Sequence, residues 1–231
     1  MSPNVPAAQV AFDVTDFADN PEPRCPCVLV LDCSYSMREE DRIHELNEGV
    51  RGFRDELASD DLAAKRVELA VVTVGGKVRV QADFQTVDFF VPHPLVADGD
   101  TPLGEGIETA IDIVEDRKAV YRRNGISYYR PWIFLVSDGG PTDEWHVAAD
   151  RVRRGEEGKS FLFFAVGVGD KASMNVLRTI ATREPVRLRG LDFRPMFRWL
   201  SNSLRSTSHS RVGDAVALEN PTGPKGWAST E

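Results

Sequence analysis

Three separated stretches of the chain place oxygen-bearing side chains just after apolar runs or just before an apolar helical pattern. Asp32, Ser34 and Ser36 alternate along one short segment, Asp32-Cys33-Ser34-Tyr35-Ser36. Thr101 follows within Asp100-Thr101-Pro102-Leu103-Gly104, and Asp138 within Ser137-Asp138-Gly139-Gly140-Pro141-Thr142-Asp143. Every donor in this set is an oxygen. With no imidazole or thiolate among them, the set suits a hard divalent cation, Mg²⁺, Mn²⁺ or Ca²⁺, and not Zn²⁺ or Cu²⁺. The alternate spacing lets the side chains of one tight loop point at a single centre. Neutral hydroxyls are weak ligands beside carboxylates. A cation held mainly by serine and threonine is left short of negative charge and takes up one more anionic oxygen from outside.

The elements that must position these residues are legible in the apolar pattern. Val28-Leu29-Val30-Leu31 is a fully apolar run ending at Asp32, as a buried parallel strand reads. Ile43, Leu46, Val50, Phe53 and Leu57 recur at steps of three and four, which predicts an amphipathic helix. Residues 67–74 predict a second strand, and Gly75-Gly76 a tight turn into an antiparallel edge strand over 77–80. Residues 82–100 read as irregular. Leu103, Ile107, Ala110, Ile111 and Val114 predict a helix capped by Thr101, with Pro102 at its first position. A strand over 132–136, a helix over 142–157, a strand over 161–166, a helix near 173–181, a strand near 186–188 and a helix near 194–205 complete the pattern. Strands alternating with helices predict an α/β fold: a doubly wound, mostly parallel sheet with one antiparallel edge strand and flanking helices. In such a sheet the C-terminal strand ends form the ligand-binding rim, and Asp32 and Asp138 follow two of them.

The chain has 231 residues, with 28 Lys and Arg against 36 Asp and Glu, a formal charge of −8. That length predicts one domain with a core large enough to need no disulfide. We read residues 1–24 as an extended leader with a candidate edge strand at Val10–Val14, residues 25–205 as the domain, and residues 206–231 as a tail that packs back through Trp227. A net acidic surface argues against nucleic acid as a partner. The longest apolar run, Phe161–Val168, falls far short of the ~20 residues a bilayer span needs, so no membrane is expected. The acidic N-terminus has no signal-peptide pattern, which predicts a cytoplasmic protein. Cys25, Cys27 and Cys33 form neither a disulfide framework nor a zinc pattern and read as small buried residues.

With these residues in place, the sequence resembles a von Willebrand factor A domain with a complete metal-ion-dependent adhesion site. Asp32, Ser34 and Ser36 match the family's Asp-x-Ser-x-Ser, with Tyr35 where the family usually has Gly; Thr101 matches its separate Thr and Asp138 its second Asp. The resemblance implies Mg²⁺ (or Mn²⁺ or Ca²⁺) bound directly by both serines, with Thr101, Asp32 and Asp138 binding directly or through water. It implies a non-enzymatic module in which a partner protein supplies a Glu or Asp to the metal. Asn20–Pro26, Ser137–Trp145, Trp199-Leu200-Ser201 and Gly226-Trp227 further resemble the bacterial TerY-like proteins of tellurium-resistance and stress systems. That likeness implies a regulatory or scaffold role alongside a protein kinase and a PP2C-type phosphatase.

Other readings of the same residues stay open. A Mg²⁺-dependent phosphoryl hydrolase would use Asp32 as nucleophile, although a dehalogenase-type enzyme wants a second Asp where Ser34 stands. A purely structural metal site is a third reading. Singly, Asp32, Ser34 and Thr101 could be helix caps, and Asp138-Gly139 ordinary turn chemistry. Asp98, Asp100, Asp143 and Glu144 read as solvated loop acids, and His44 and His146 as surface histidines. Gly167-Val168-Gly169 lacks the third glycine of a dinucleotide fingerprint and reads as a turn.

Overall fold

Eight consecutive buried residues form the central strand β1 (Cys25–Asp32) of the computed structural model, which describes residues 20–138, 140–224 and 226–230. A strand covered on both faces must be apolar throughout, which is why this segment shows no alternation. β2 (Val67–Gly75) and β4 (Trp132–Ser137) pair with it in parallel on either side, with Leu31 opposite Thr73 and Val136. β3 (Lys77–Thr86) runs antiparallel to β2, and β5 (Leu162–Gly167) and β6 (Val186–Leu188) extend the parallel part beyond β4. A two-residue strand, β7 (Ala228–Ser229), closes the far edge antiparallel to β6, giving the order β3-β2-β1-β4-β5-β6-β7.

Helices cover both faces. On one lie α1 (Arg42–Ala58), entered through a 3-10 helix at Tyr35–Asp41, and α6 (Phe193–His209); their Phe53 and Phe197 rings meet at 5.5 Å. Leu29, Leu31, Phe134 and Val136 face this pair. On the other lie α3 (Leu103–Arg123), α4 (His146–Glu157) and α5 (Met174–Ile180), against Val28, Val30, Ile133 and Leu135. A short α2 (Asp61–Arg66) leads into β2 and is capped by Asp60, whose carboxylate accepts from Leu62 N–H and Ala63 N–H. Leu135 is fully buried in the middle of the sheet. Leu135→Ala is expected to lower unfolding free energy by about 2–5 kcal/mol through the cavity it leaves. Urea titration checks this, and a near-normal midpoint would mean β4 is not central.

Several boundaries differ from those the sequence predicts. The sheet has two antiparallel edge strands, not one, because the chain beyond α6 returns: Arg189 N–H donates to Trp227 O at 2.9 Å and Leu188 pairs with Ala228. A two-residue strand carries no period to read. β3 continues past residue 80 to Thr86 across a register irregularity opposite Leu69–Val72, burying Phe84 while the rest of the strand stays exposed or half-buried. α4 starts at His146, not at 142, because the preceding residues serve the rim. α6 runs to His209, beyond the expected end at 205. Trp227 is buried against Trp199, ring centroids 5.7 Å apart, and the Trp199 indole donates to Glu219 O. The candidate strand at Val10–Val14 lies outside the described residues.

Candidate metal centre

β1 delivers Asp32 to the rim with its carboxylate fully buried. One oxygen accepts the Ser34 backbone N–H at 2.8 Å, and the other accepts the Ser137 hydroxyl at 2.6 Å, so the ends of β1 and β4 are tied through one side chain. Burial pushes this carboxyl's pKa up, hydrogen bonds from Ser137 and Ser34 pull it down, and the negative charge of Asp138 pushes it up again. Ser34 is buried, and its hydroxyl lies 2.9 Å from that of Ser36. The side chain between them, Tyr35, points to solvent with the Arg38 guanidinium over its ring at 4.7 Å.

Backbone hydrogen bonds stitch the Thr101 segment to this loop, and the Asp138 segment to Thr101. Cys33 donates to Val74 O and accepts from Asp98 N–H, and Tyr35 N–H donates to Gly99 O. Gly99 has φ of 66°, and a Cβ there would lie 2.3 Å from the Gly76 Cα, so only glycine lets this segment pass the β2–β3 turn. Thr101 is buried; its N–H donates to the Thr142 hydroxyl at 3.1 Å and its carbonyl accepts from Thr142 N–H at 2.9 Å. Asp138 is half-buried. Its carboxylate accepts from Gly140 N–H, and its carbonyl accepts from Ser173 N–H at 2.6 Å.

Two sequence-based expectations change here. Thr101 does not cap α3: the helix begins at Leu103, with Pro102 at its boundary and no side-chain cap there. The cap comes from across the rim. The Asp143 carboxylate accepts from Gly104 N–H at 3.0 Å and Glu105 N–H at 2.9 Å. Asp143 is therefore a positioning residue rather than a solvated loop acid, and it frees Thr101 for other work. Gly104 permits the approach, since a Cβ there would stand 2.6 Å from Glu144 O. The signal in sequence was weak, because a carboxylate capping a helix 39 residues away leaves no local pattern. Asp143→Ala is expected to cost about 0.5–2 kcal/mol, the usual loss of an N-terminal cap. Urea titration in chelator reads this; an unchanged midpoint would show that water replaces the carboxylate without loss.

The donor set fits a hard divalent cation. Asp32 accepts from Ser34, the Ser34 hydroxyl meets that of Ser36, Thr101 and Asp138 are tied to the same rim, and all five offer oxygen. A buried carboxylate beside a second acid is costly unless a positive charge stands near it. The cysteines offer no alternative thiolate site. All three are buried and unpaired, and burial pushes Cys25 and Cys33 up to about 12. His44 is exposed at the start of α1, with its ring, Asp41 and Glu45 offering ligand atoms within 4.8 Å of one another. His146 stacks on Trp145 and meets Glu144, whose carboxyl it holds below the usual range.

The chain belongs to the von Willebrand factor type A domain family, whose model matches residues 27–189. No curated protein matches it at the sequence level. Among solved structures it is similar to the pilus adhesin SpaC from Lactobacillus rhamnosus GG, at 12% identity and TM-score 0.64, over 80% of this chain and 30% of that one. It is similar to BatB from Bacteroides thetaiotaomicron at 17% identity and TM-score 0.55, over 80% and 98% of the two chains. The ArnB paralog VWA2 from Sulfolobus acidocaldarius matches at 17% identity and TM-score 0.53, over 78% and 45%. This chain thus spans about a third of SpaC and about half of VWA2. At these identities the likeness shows a shared fold. No described helix is long and apolar enough to cross a membrane.

Proposed function

We propose that the chain is a non-enzymatic, metal-dependent protein-interaction module. Ser34, Ser36 and Thr101, with Asp32 and Asp138, would hold Mg²⁺ or Mn²⁺. When bound, the cation supplies a Lewis-acidic position that accepts a Glu or Asp carboxylate from a partner protein. The observation that carries this reading is the Ser34–Ser36 hydroxyl pair beside a buried Asp32 carboxylate, with two further loops tied to it by hydrogen bonds. Asp32 is a poor candidate nucleophile: both its oxygens already accept hydrogen bonds, and Ser34 occupies the position of a general acid. The likeness to TerY-type proteins supports a cytoplasmic role in bacterial stress or tellurium-resistance signalling, with a protein kinase and a PP2C-type phosphatase as partners.

Calorimetric titration of Mg²⁺ tests the site. Ser34→Ala combined with Ser36→Ala is expected to abolish saturable binding while leaving the circular dichroism spectrum and urea midpoint near wild type, because the two hydroxyls bond to each other and the variant removes both together. Undiminished Mg²⁺ binding by this variant would overturn the assignment.

A further inference from the structure

The net charge of this molecule is concentrated around the metal centre. Leaving aside Asp32 itself, the segments that carry the site or hydrogen-bond to it are residues 33–41, 75–77, 96–105, 138–147 and 168–173. They hold ten carboxylates against three cations, Arg38, Lys77 and Lys171, a formal −7. The whole chain carries −8, so everything else is nearly balanced. Two more arginines reach in from neighbouring elements. Arg187 donates to Gly169 O, and the Arg42 guanidinium lies against the Gly169 backbone while pairing with Glu39 and Glu40. Counting both still leaves −5. Arg38 is likewise committed, to Ala97 O and near Asp98. Glu39, Glu40, Asp98, Asp100, Glu105 and Glu144 are exposed.

Such a field draws in a cation but repels the carboxylate meant to complete its shell. An acidic ligand can approach only if its own surroundings are positive. Three exposed apolar side chains stand on the same segments: Tyr35 at 55% exposure, Val96 at 73% and Val147 at 54%. They offer apolar contact at the rim.

Resting on the metal-dependent reading above, we propose that the partner presents a single carboxylate set within a basic and apolar patch, lysine or arginine interleaved with aliphatic side chains. An acidic loop or an acidic tail is the wrong ligand for this rim. The charge pattern makes a complementary partner surface specific and rejects strongly acidic ones by repulsion.

Two synthetic peptides test this on the full chain with saturating Mg²⁺. One has a central glutamate flanked by lysine and leucine; the other has the lysines replaced by glutamate. Fluorescence anisotropy is expected to show the basic-flanked peptide binding at least tenfold tighter, with affinity falling as salt rises. Asp98→Lys combined with Glu144→Lys is expected to narrow that preference severalfold without changing the melting temperature. Equal affinities, or no binding of either peptide into the millimolar range, would overturn the proposal. The two readings separate in a third peptide, basic-flanked with glutamine at the centre. Binding that persists there and in EDTA would sink the metal bridge while keeping the charge preference. Binding lost in both, with no preference between flanks, would sink the charge proposal alone.

Discussion

Purified protein in chelator is expected to melt about 5–10 °C lower than the same protein with Mg²⁺ at 100 times its dissociation constant. The size follows from linkage. A ligand bound only by the folded state stabilises it by about 2.7 kcal/mol at that excess, and a domain of this length gains a few degrees per kcal/mol. The structural reason to expect binding only when folded is the wide spacing of the donors. Asp32, Thr101 and Asp138 come from three loops that meet through the Cys33–Asp98, Tyr35–Gly99 and Thr101–Thr142 hydrogen bonds. Unfolding separates them. Asp138→Ala is expected to remove the shift while leaving the melt in chelator nearly unchanged or slightly raised. The alanine relieves the repulsion that Asp138 exerts on buried Asp32. A Mg²⁺ shift of full size in Asp138→Ala would mean that the cation binds elsewhere, and the Asp41, His44 and Glu45 group at the start of α1 would be the place to look. No shift in the wild type at any concentration would leave the rim as a set of turns and caps.

The sequence disclosed the centre of the molecule more completely than its edges, for a physical reason. Strands buried on both faces must be apolar throughout, and Val28–Leu31 and Trp132–Val136 could hardly read as anything else. The helices announced themselves through the three-and-four spacing of Ile107, Ala110, Ile111 and Val114. The three oxygen-bearing segments were legible because the residues follow strand ends or open a helix, where an α/β sheet places its ligands. What stayed hidden depends on contacts between distant residues. β7 exists because Trp227 docks on Trp199, with the Trp199 indole also held by Glu219 O. The Asp143 cap on α3 is a partnership between loops, and sequence alone favoured the adjacent Thr101. The 3-10 helix at Tyr35–Asp41 ends in two left-handed residues, Glu40 and Asp41, a conformation uncommon outside glycine and more so for Glu than for Asp.

Glu68→Ala is expected to be the most destabilising single substitution considered for this chain, at about 3–5 kcal/mol. Glu68 is one charge within the apolar run Val67–Val74, and it is buried at the start of β2. Its carboxylate accepts from Arg24 Nε at 3.0 Å and, bidentately, from Arg117 Nε at 2.7 Å and Nη2 at 2.8 Å. The Tyr121 hydroxyl donates to it as well. One acid therefore joins the residue before β1, the first turn of β2 and the last third of α3. Both arginine side chains are buried. Removing the acid takes away the carboxylate that two buried guanidinium groups share, a cost that exceeds the worth of the pair itself. Arg24 would keep hydrogen bonds to Glu22 O and Asn20 O, and Arg117 its contact with the Tyr121 hydroxyl at 3.3 Å, so the loss is that of the charge pairing. Glu68→Gln is expected to recover part of the stability, because it preserves an acceptor but not the charge. This cluster lies at the N-terminal end of the parallel strands, the opposite end from Asp32 and Asp138. Mg²⁺ affinity of the folded fraction is therefore expected to stay unchanged. Urea titration with and without Mg²⁺ reads both quantities. A loss below about 1 kcal/mol would mean that the arginines find water or new acceptors on relaxation, and a change in Mg²⁺ affinity would mean that the two ends of the sheet are coupled.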